Sequence, residues 1–192
     1  MCIDELSLRT MFGFILVLLA GSCSISQENP LSIKSEFVID DKFFKGKVTL
    51  SKLESSNGFR ILLIDSKGEK SDQTIFKYHY YQFDTADINR DGHIEILVGL
   101  IKQTEFDPEE KKRLFILRID EGQLRPLWLG SKVCQELINF KTMDGGVVQT
   151  LEKTKKGNYA IGRYVWQGFG LTLINYIHDE KNHSDAIKLF DS

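Results

Sequence analysis

Residues 84–100 read DTADINRDGHIEILVGL, and this stretch constrains the fold more than any other part of the chain. The dipeptide Asp91-Gly92 favours a tight turn, because glycine adopts positive φ without steric cost. The run that follows, residues 94–101, is rich in residues that favour strands, and an aromatic segment precedes the loop. The stretch therefore predicts two strands joined by a polar loop.

Short apolar runs alternate with Gly, Asn or Asp clusters along the rest of the chain. Separators such as Asn57-Gly58, Lys67-Gly68 and Glu121-Gly122 favour consecutive antiparallel hairpins. Strands are predicted over residues 37–39, 45–53, 59–65, 74–85, 94–101, 113–120, 124–129, 147–151, 159–166 and 169–177. The sequence thus predicts an all-β fold of stacked antiparallel hairpins, arranged either as a partial propeller or as a sandwich.

Three predicted strand segments, residues 62–64, 94–98 and 114–117, are apolar on both faces, so we expect them to lie between layers. Helices are minor. Asp107-Pro108 predicts one helical turn over residues 107–112, and residues 184–190 predict a short terminal helix. The chain is predicted to have four parts: a signal peptide at 1–22, a lipidated tether at 23–34, the all-β domain at 35–180 and a tail or short helix at 181–192.

The composition is that of an ordinary globular protein, with 42% hydrophobic and 27% charged residues. The formal net charge is −2, from 25 basic and 27 acidic residues. Such a chain has no surplus of positive charge with which to neutralise a phosphate backbone, so nucleic acid is not an expected partner.

The polar loop has the side chains of a calcium site. Asp87, Asn89 and Asp91 fall at alternate positions, Gly92 permits the sharp bend, and Glu95 follows. Alternate residues of a tight loop direct their oxygens to one side, and His93 can add its backbone carbonyl rather than its ring. An all-oxygen set selects calcium over softer metals. The alternative is an Asp-Gly hairpin turn whose carboxylates face water.

This loop resembles the acidic loops of FG-GAP and VCBS β-propeller repeats, in which the loop joins two strands of a blade. The resemblance implies side-chain ligation by Asp87, Asn89, Asp91 and Glu95, and it extends through residues 114–131, which look like a blade's outer hairpin. The loop differs from an EF-hand, because Val98 occupies the twelfth position and the flanks are strands.

The N-terminus predicts export. Residues 11–20 are an unbroken apolar run, too short to span a bilayer but typical of a signal-peptide core. The sequence Ala20-Gly21-Ser22-Cys23 resembles the lipobox of bacterial lipoproteins, which implies a lipid on Cys23 and a membrane anchor. More loosely, the chain resembles lipoproteins of Bacteroidota, which implies a cell-envelope address, with the outer membrane expected. Cleavage by ordinary signal peptidase, giving a secreted or periplasmic product, and translation from Met11 are alternatives.

The expected mature chain keeps two cysteines, Cys23 and Cys134. With lipid on Cys23, Cys134 stands alone and is expected to be a small buried hydrophobic side chain. Without the lipid, a disulfide between the two becomes possible in an oxidising compartment.

No nucleophile, base and orienting group occur at a recognisable spacing, and the histidines are scattered, so no catalytic residue is predicted. The preferred hypothesis is a non-catalytic envelope module with structural calcium that binds a protein or glycan partner. Trp166 and Phe169, set around glycines, are its candidate contact surface, and the alternative for them is core packing or a tight turn. One alternative is an extracytoplasmic hydrolase that uses Asp84, Asp87 and Asp91, and another is a structural envelope component without metal.

Overall fold

Three four-stranded antiparallel sheets make up the protein, and in each sheet the strands lie side by side in chain order. The computed structural model describes residues 34–54, 56–105, 107–130 and 133–192. The predicted signal peptide, Cys23 and residues 24–33 of the tether lie outside those residues. The all-β prediction is confirmed.

Sheet 1 consists of strands β1 (Glu36–Asp40), β2 (Lys45–Lys52), β3 (Phe59–Asp65) and β4 (Lys70–Phe76). Sheet 2 consists of β5 (His79–Ala86), β6 (Glu95–Thr104), β7 (Asp107–Asp120) and β8 (Gln123–Leu129). Sheet 3 consists of β9 (Glu136–Met143), β10 (Val147–Lys153), β11 (Tyr159–Gln167) and β12 (Gly170–Lys181).

Helix α1, His183–Asp191, follows β12, close to the predicted 184–190. Asn182 caps it, because its side chain accepts a hydrogen bond from the N–H of Asp185. Ala186 and Phe190 are the buried residues of the helix and pack with Leu151 and Ile161 of sheet 3.

The layers stack in the order sheet 1, sheet 2, sheet 3 and helix, with an apolar core at each contact. The first core joins sheets 1 and 2 and includes Phe59, Ile61, Ile96 and Val98. The second core joins sheets 2 and 3. Its buried members are Ile88, Leu97, Leu114, Ile116, Val133, Leu137, Phe140, Val148 and Tyr164.

Sheet 2 is the central layer, because consecutive residues of β6 enter different cores. Ile96 and Val98 lie in the first core and Leu97 lies in the second. The prediction of two-sided burial is thus confirmed for residues 94–98 and 114–117. It is wrong for residues 62–64, since Leu62 and Ile64 are only half-buried on the outer sheet.

Two predicted segments differ from the structure. The predicted strand 74–85 is two strands in different sheets, β4 and β5, separated at Lys77 and Tyr78. Residues 107–112 are the start of β7 and not a helical turn. Proline is tolerated there because β8 pairs with β7 only from Phe115 onward, so Pro108 has no strand neighbour on one side.

One end of the stack gathers the turns that carry the site. The β1–β2 turn meets the Asp87–Glu95 loop through a hydrogen bond from the N–H of Ile94 to Asp41 Oδ2, 2.8 Å long. The loop meets the β9–β10 turn through Arg90, whose Nε donates to the carbonyl of Gly145 at 2.8 Å. Since Gln167 pairs with Gly170 and Val165 with Val147, the β11–β12 turn lies at this same end of sheet 3.

Candidate functional site

The acidic loop between β5 and β6 is held by its own side chains. Asp87 accepts hydrogen bonds from the N–H of Asp91 at 3.1 Å and of Gly92 at 3.0 Å. Asn89 Oδ1 accepts from the N–H of Asp91 at 3.1 Å, and Asp91 Oδ1 accepts from the N–H of His93 at 2.9 Å. These bonds to successive backbone donors bend the chain into a compact turn.

The backbone conformation of the loop explains its glycine. Gly92 has φ of +87° and Arg90 has φ of +62°. The first value is strained for any residue with a Cβ, and the second is uncommon for an arginine. The turn therefore depends on Gly92, as the sequence indicates, and on local bonds that hold Arg90 in the left-handed region.

Glu95 is the most unusual group of the site. Its side chain is fully buried, Oε2 accepts from the N–H of Ile88 at 3.1 Å, and Oε1 is buried without a hydrogen-bond partner. Burial raises the pKa of Glu95 to about 7, against the lowering effect of the Ile88 bond. An unpaired buried carboxylate oxygen is costly, so this atom marks a place where a cation would be stabilised.

Arg118 on β7 supplies positive charge to the loop. Its guanidinium bonds Asp91 Oδ2 and lies 3.7 Å from Glu95 Oε1. Burial alone would raise the pKa of Asp91, but the bond from His93, the charge of Arg118 and the bond from Asn89 together hold it below its ordinary value. Nothing in the loop sequence predicts Arg118, although it is the one charged residue in the otherwise apolar run LFILRI.

The structure brings Asp87, Asn89 and Asp91 together, and Arg118 links Asp91 to Glu95. Among the described residues, no three acidic, His or Cys side chains already converge as a metal-ligand cluster. The oxygens instead accept backbone N–H groups and the guanidinium. The donor set still fits a hard divalent ion, because the side chains offer oxygen atoms and Glu95 Oε1 has no partner.

The ring of His93 contacts the β1–β2 turn. The ring stacks on Phe43 of the β1–β2 turn, with centroids 3.4 Å apart and planes 5° from parallel. The interpretation in which His93 offers only its backbone carbonyl to a metal stays a prediction. Together with the bond from Ile94 to Asp41, the stacking attaches the loop to sheet 1.

The other side of the loop is attached to sheet 3. Besides the Arg90 bond, Gly146 packs so closely that a Cβ there would lie 2.9 Å from the carbonyl oxygen of Ile88. Asp84 strengthens this contact, because its Oδ2 accepts from the N–H and hydroxyl of Thr142 at 2.8 and 2.7 Å. The loop therefore contacts all three sheets. Asp41, Arg90 and Gly145 in this junction were not predicted, because their pairing depends on tertiary structure.

The two residues of the candidate contact surface occupy different environments. Phe169 is 97% exposed at the tip of the β11–β12 hairpin, where positive φ at Gly168 makes a two-residue turn. Trp166 is half-buried and packs against the second core. Gly170 allows close contact with Trp128, since a Cβ at residue 170 would lie 2.8 Å from the indole nitrogen. Only Phe169 projects freely.

Cys134 corrects another expectation. The thiol is exposed and unpaired, whereas a buried side chain was predicted. Its N–H donates to the hydroxyl of Tyr164 at 3.1 Å, which fixes the backbone just before β9. Cys2 and Cys23 lie outside the described residues.

No known protein family, curated protein or solved structure matches the chain. Within the described part of the chain, no helix has the length and apolar character needed to cross a membrane.

Proposed function

We propose that the protein is a non-catalytic module of the bacterial cell envelope, anchored through a lipid on Cys23, that binds a protein or glycan partner. In this proposal calcium in the Asp87–Glu95 loop fixes the turns at one end of the sheet stack. The observation that carries it is the buried, unpaired oxygen Glu95 Oε1 beside a loop rich in further oxygen ligands. A divalent cation removes the cost of burying that charge.

Asp87, Asn89, Asp91 and Glu95 would hold the ion through side-chain oxygens, and His93 through its carbonyl. The ion would neutralise the charge of Glu95, which burial disfavours, and would be shared with the carboxylates of Asp87 and Asp91. Arg118 has a related role, because its guanidinium already balances part of this charge. Calcium and Arg118 therefore compete for Asp91 and Glu95.

The consequence of such an ion lies in the contacts of the loop. Asp41 and Phe43 connect it to sheet 1, and Arg90 connects it to sheet 3. Locking the loop would hold three sheets in one arrangement at this end. The hairpin tip with Phe169 belongs to the same end, and a large exposed aromatic side chain is suited to a partner's pocket or to a sugar ring.

A melting experiment tests the calcium part. At about 5 mM calcium, we expect the full chain to melt about 2 to 8 °C higher than in EDTA, for a site with Kd of about 10⁻⁴ to 10⁻³ M. Asp91→Ala should abolish the shift, and Asp191→Ala, at an exposed carboxylate of the terminal helix, should keep it. Superimposable wild-type curves in calcium and EDTA would remove calcium from the proposal.

Arg118→Gln tests the competition. We expect this variant to bind calcium several-fold more tightly by titration calorimetry, since no guanidinium must leave Asp91, and to melt lower than wild type in EDTA. Weaker calcium binding by Arg118→Gln would show that the arginine supports the site instead of opposing it.

The anchor and the partner need separate measurements. The mass of the mature protein from native membranes should correspond to a chain that begins at a lipidated Cys23. Cross-linking on those membranes should yield a specific adduct that Phe169→Ala loses while its melting temperature stays unchanged. An adduct formed equally by Phe169→Ala would place the contact elsewhere.

A further inference from the structure

A second site candidate lies at the opposite end of sheets 2 and 3. A pocket of about 200 Å³ opens between the start of β7, the start of β9 and the end of β10. Lys102 of β6 pairs with Lys111 and Ile96 pairs with Leu117, so the start of β7 is far along the sheet from the acidic loop. The pocket is therefore separate from the calcium site.

The pocket has an unusual charge for this chain. Of the described residues, five basic and two acidic side chains line it, although the whole protein carries a net charge of −2. Asp107 forms ion pairs with Lys111 at 3.2 Å and with Arg113 at 2.8 Å. Among the described residues, Lys153 and Lys155 form no ion pair. The pocket thus keeps positive charge that the acidic side chains do not balance.

Two polar groups of the lining are incompletely bonded. Arg113 has a side chain only 6% exposed, donates one hydrogen bond to Asp107, and has a buried Nε without a partner. Thr154 likewise has a buried hydroxyl oxygen without a partner. A buried guanidinium and a hydroxyl with unused hydrogen-bonding capacity form a site for an oxyanion.

Part of the remaining wall is apolar. Leu114, Val133 and Leu137 are buried residues of the second core that also line the pocket. A bare inorganic ion would leave that wall without a contact. The size of the pocket favours a compact ligand, because pockets for drug-sized molecules are about 300 to 1,000 Å³.

We propose that this pocket binds a small organic anion, with its carboxylate or phosphate group at Arg113, Lys153 and Lys155 and a short apolar body against Leu114, Val133 and Leu137. The function proposed above does not include such a ligand. Exposed Cys134 lies in the lining and serves as a reporter.

The experiment measures alkylation of Cys134 in the full chain by iodoacetamide, an uncharged reagent, with peptide masses assigning the site. Butyrate and butyl phosphate distinguish the two head groups, butyramide tests the need for charge, and inorganic phosphate tests the need for an apolar body. We expect saturable protection by at least one of the organic anions and none by butyramide. Saturable protection by butyramide, protection by inorganic phosphate equal to that by butyl phosphate, or no saturable protection at all would overturn the proposal.

Variants locate the ligand. Lys153→Gln and Lys155→Gln change side chains that form no ion pair within the described part of the chain. Each should lower the affinity for the protecting anion about two- to fivefold, because the lost charge contact is partly screened by solvent. Lys67→Gln, an exposed lysine in the β3–β4 turn, removes the same charge outside the pocket and should leave the affinity unchanged. Equal weakening by all three would indicate a general charge effect and overturn the assignment. Arg113→Gln should weaken binding more than about tenfold if it folds, but the lysine variants decide the test without it.

Discussion

The two contacts between sheets differ in chemistry. The core between sheets 1 and 2 is built from aliphatic and aromatic side chains such as Ile61, Leu63, Ile96 and Val98. Between sheets 2 and 3, by contrast, the contact includes buried polar side chains. Val148, Thr150 and Glu152 occupy every second position of β10 and so share one face, and of these only Val148 is apolar. Apolar contacts contribute stability without direction, whereas buried polar groups require specific partners. The first contact is built for stability and the second for a fixed register.

Glu152 shows how the second contact is specified. Its carboxylate is fully buried and accepts from Thr150 Oγ1 at 2.6 Å, the Tyr164 hydroxyl at 2.7 Å, the Tyr176 hydroxyl at 3.0 Å and the N–H of Gln135 at 2.9 Å. Burial and the bond to Glu152 raise the pKa of Tyr164, so the hydroxyl remains a donor.

The largest expected effect tests the apolar contact. Phe59 is fully buried and has the rings of Phe76 and Tyr80 at 4.9 and 5.4 Å. Phe59→Ala should lower the free energy of unfolding by about 3 to 5 kcal/mol, because it loses apolar burial and leaves a cavity. Urea unfolding followed by tryptophan fluorescence measures this change.

The matched control is Phe169→Ala, which removes an equally large side chain from a fully exposed turn. Its effect on the free energy of unfolding should stay within about 0.5 kcal/mol. A loss at Phe59 no larger than at Phe169 would contradict the assignment of stability to the first core.

Tyr164→Phe tests the polar contact. The variant removes a donor to Glu152 and the acceptor of the Cys134 N–H, and should cost about 1 to 3 kcal/mol in urea unfolding. Tyr176→Phe removes one bond to the same carboxylate from a half-buried position and should cost less. A more stable Tyr164→Phe protein would mean that the polar network fixes register at a net cost in stability.

Sequence patterns predict the first contact better than the second. The two-sided apolar runs of β6 and β7 arise from the burial that forms the cores, whereas the apolar run 62–64 of β3 wrongly predicted burial on both faces of an outer strand. Strand β9 was not predicted, because its alternation of apolar residues is interrupted. The interruption lies where its pairing with β10 shifts register, between Leu151 and Glu152. At such a bulge Leu137 and Phe140, three residues apart, both face the second core, and the strand period is lost.

The acidic loop could be predicted because its residues are close in sequence, and Asp87, Asn89 and Asp91 are joined by bonds within the loop. The residues that give it a role are distant. Arg118 and Asp41 reach the loop only after the sheets have packed, and no spacing rule identifies them. The lining of the anionic pocket is likewise drawn from β7, β9 and β10.

The pH dependence of stability in Glu95→Gln tests whether burial of this carboxylate is unfavourable. Glu95 has a pKa of about 7 in the folded protein and an ordinary value of 4.5, so its contribution to stability is complete below pH 4.5 and is lost as pH rises through 7. In EDTA, Glu95→Gln should therefore gain stability relative to wild type over this window, on the order of 1 to 3 kcal/mol. Chemical unfolding at several pH values measures the difference.

Glu110→Gln is the control, since that carboxylate is exposed at the start of β7. Its stability relative to wild type should not change across the same window. Calcium at pH 8 should reverse the order of Glu95→Gln and wild type if the proposed site forms. Parallel pH profiles for wild type and Glu95→Gln in EDTA would contradict the unfavourable burial of the carboxylate.

Arg90→Ala gives the smallest expected effect and asks whether the loop contributes to the second contact. Alanine keeps the positive φ of residue 90 under similar strain, so the variant isolates the loss of the side-chain bond to Gly145. The cost in free energy of unfolding should be about 0.5 to 1.5 kcal/mol in urea, and Arg125→Ala, whose bond to Gln123 stays within β8, should cost less.

A double variant tests whether the loop couples the sheets. If it does, the loss in free energy of unfolding for Arg90→Ala combined with Tyr164→Phe should differ from the sum of the two single losses. Strict additivity would instead make the loop and the Glu152 network independent supports of sheet 3.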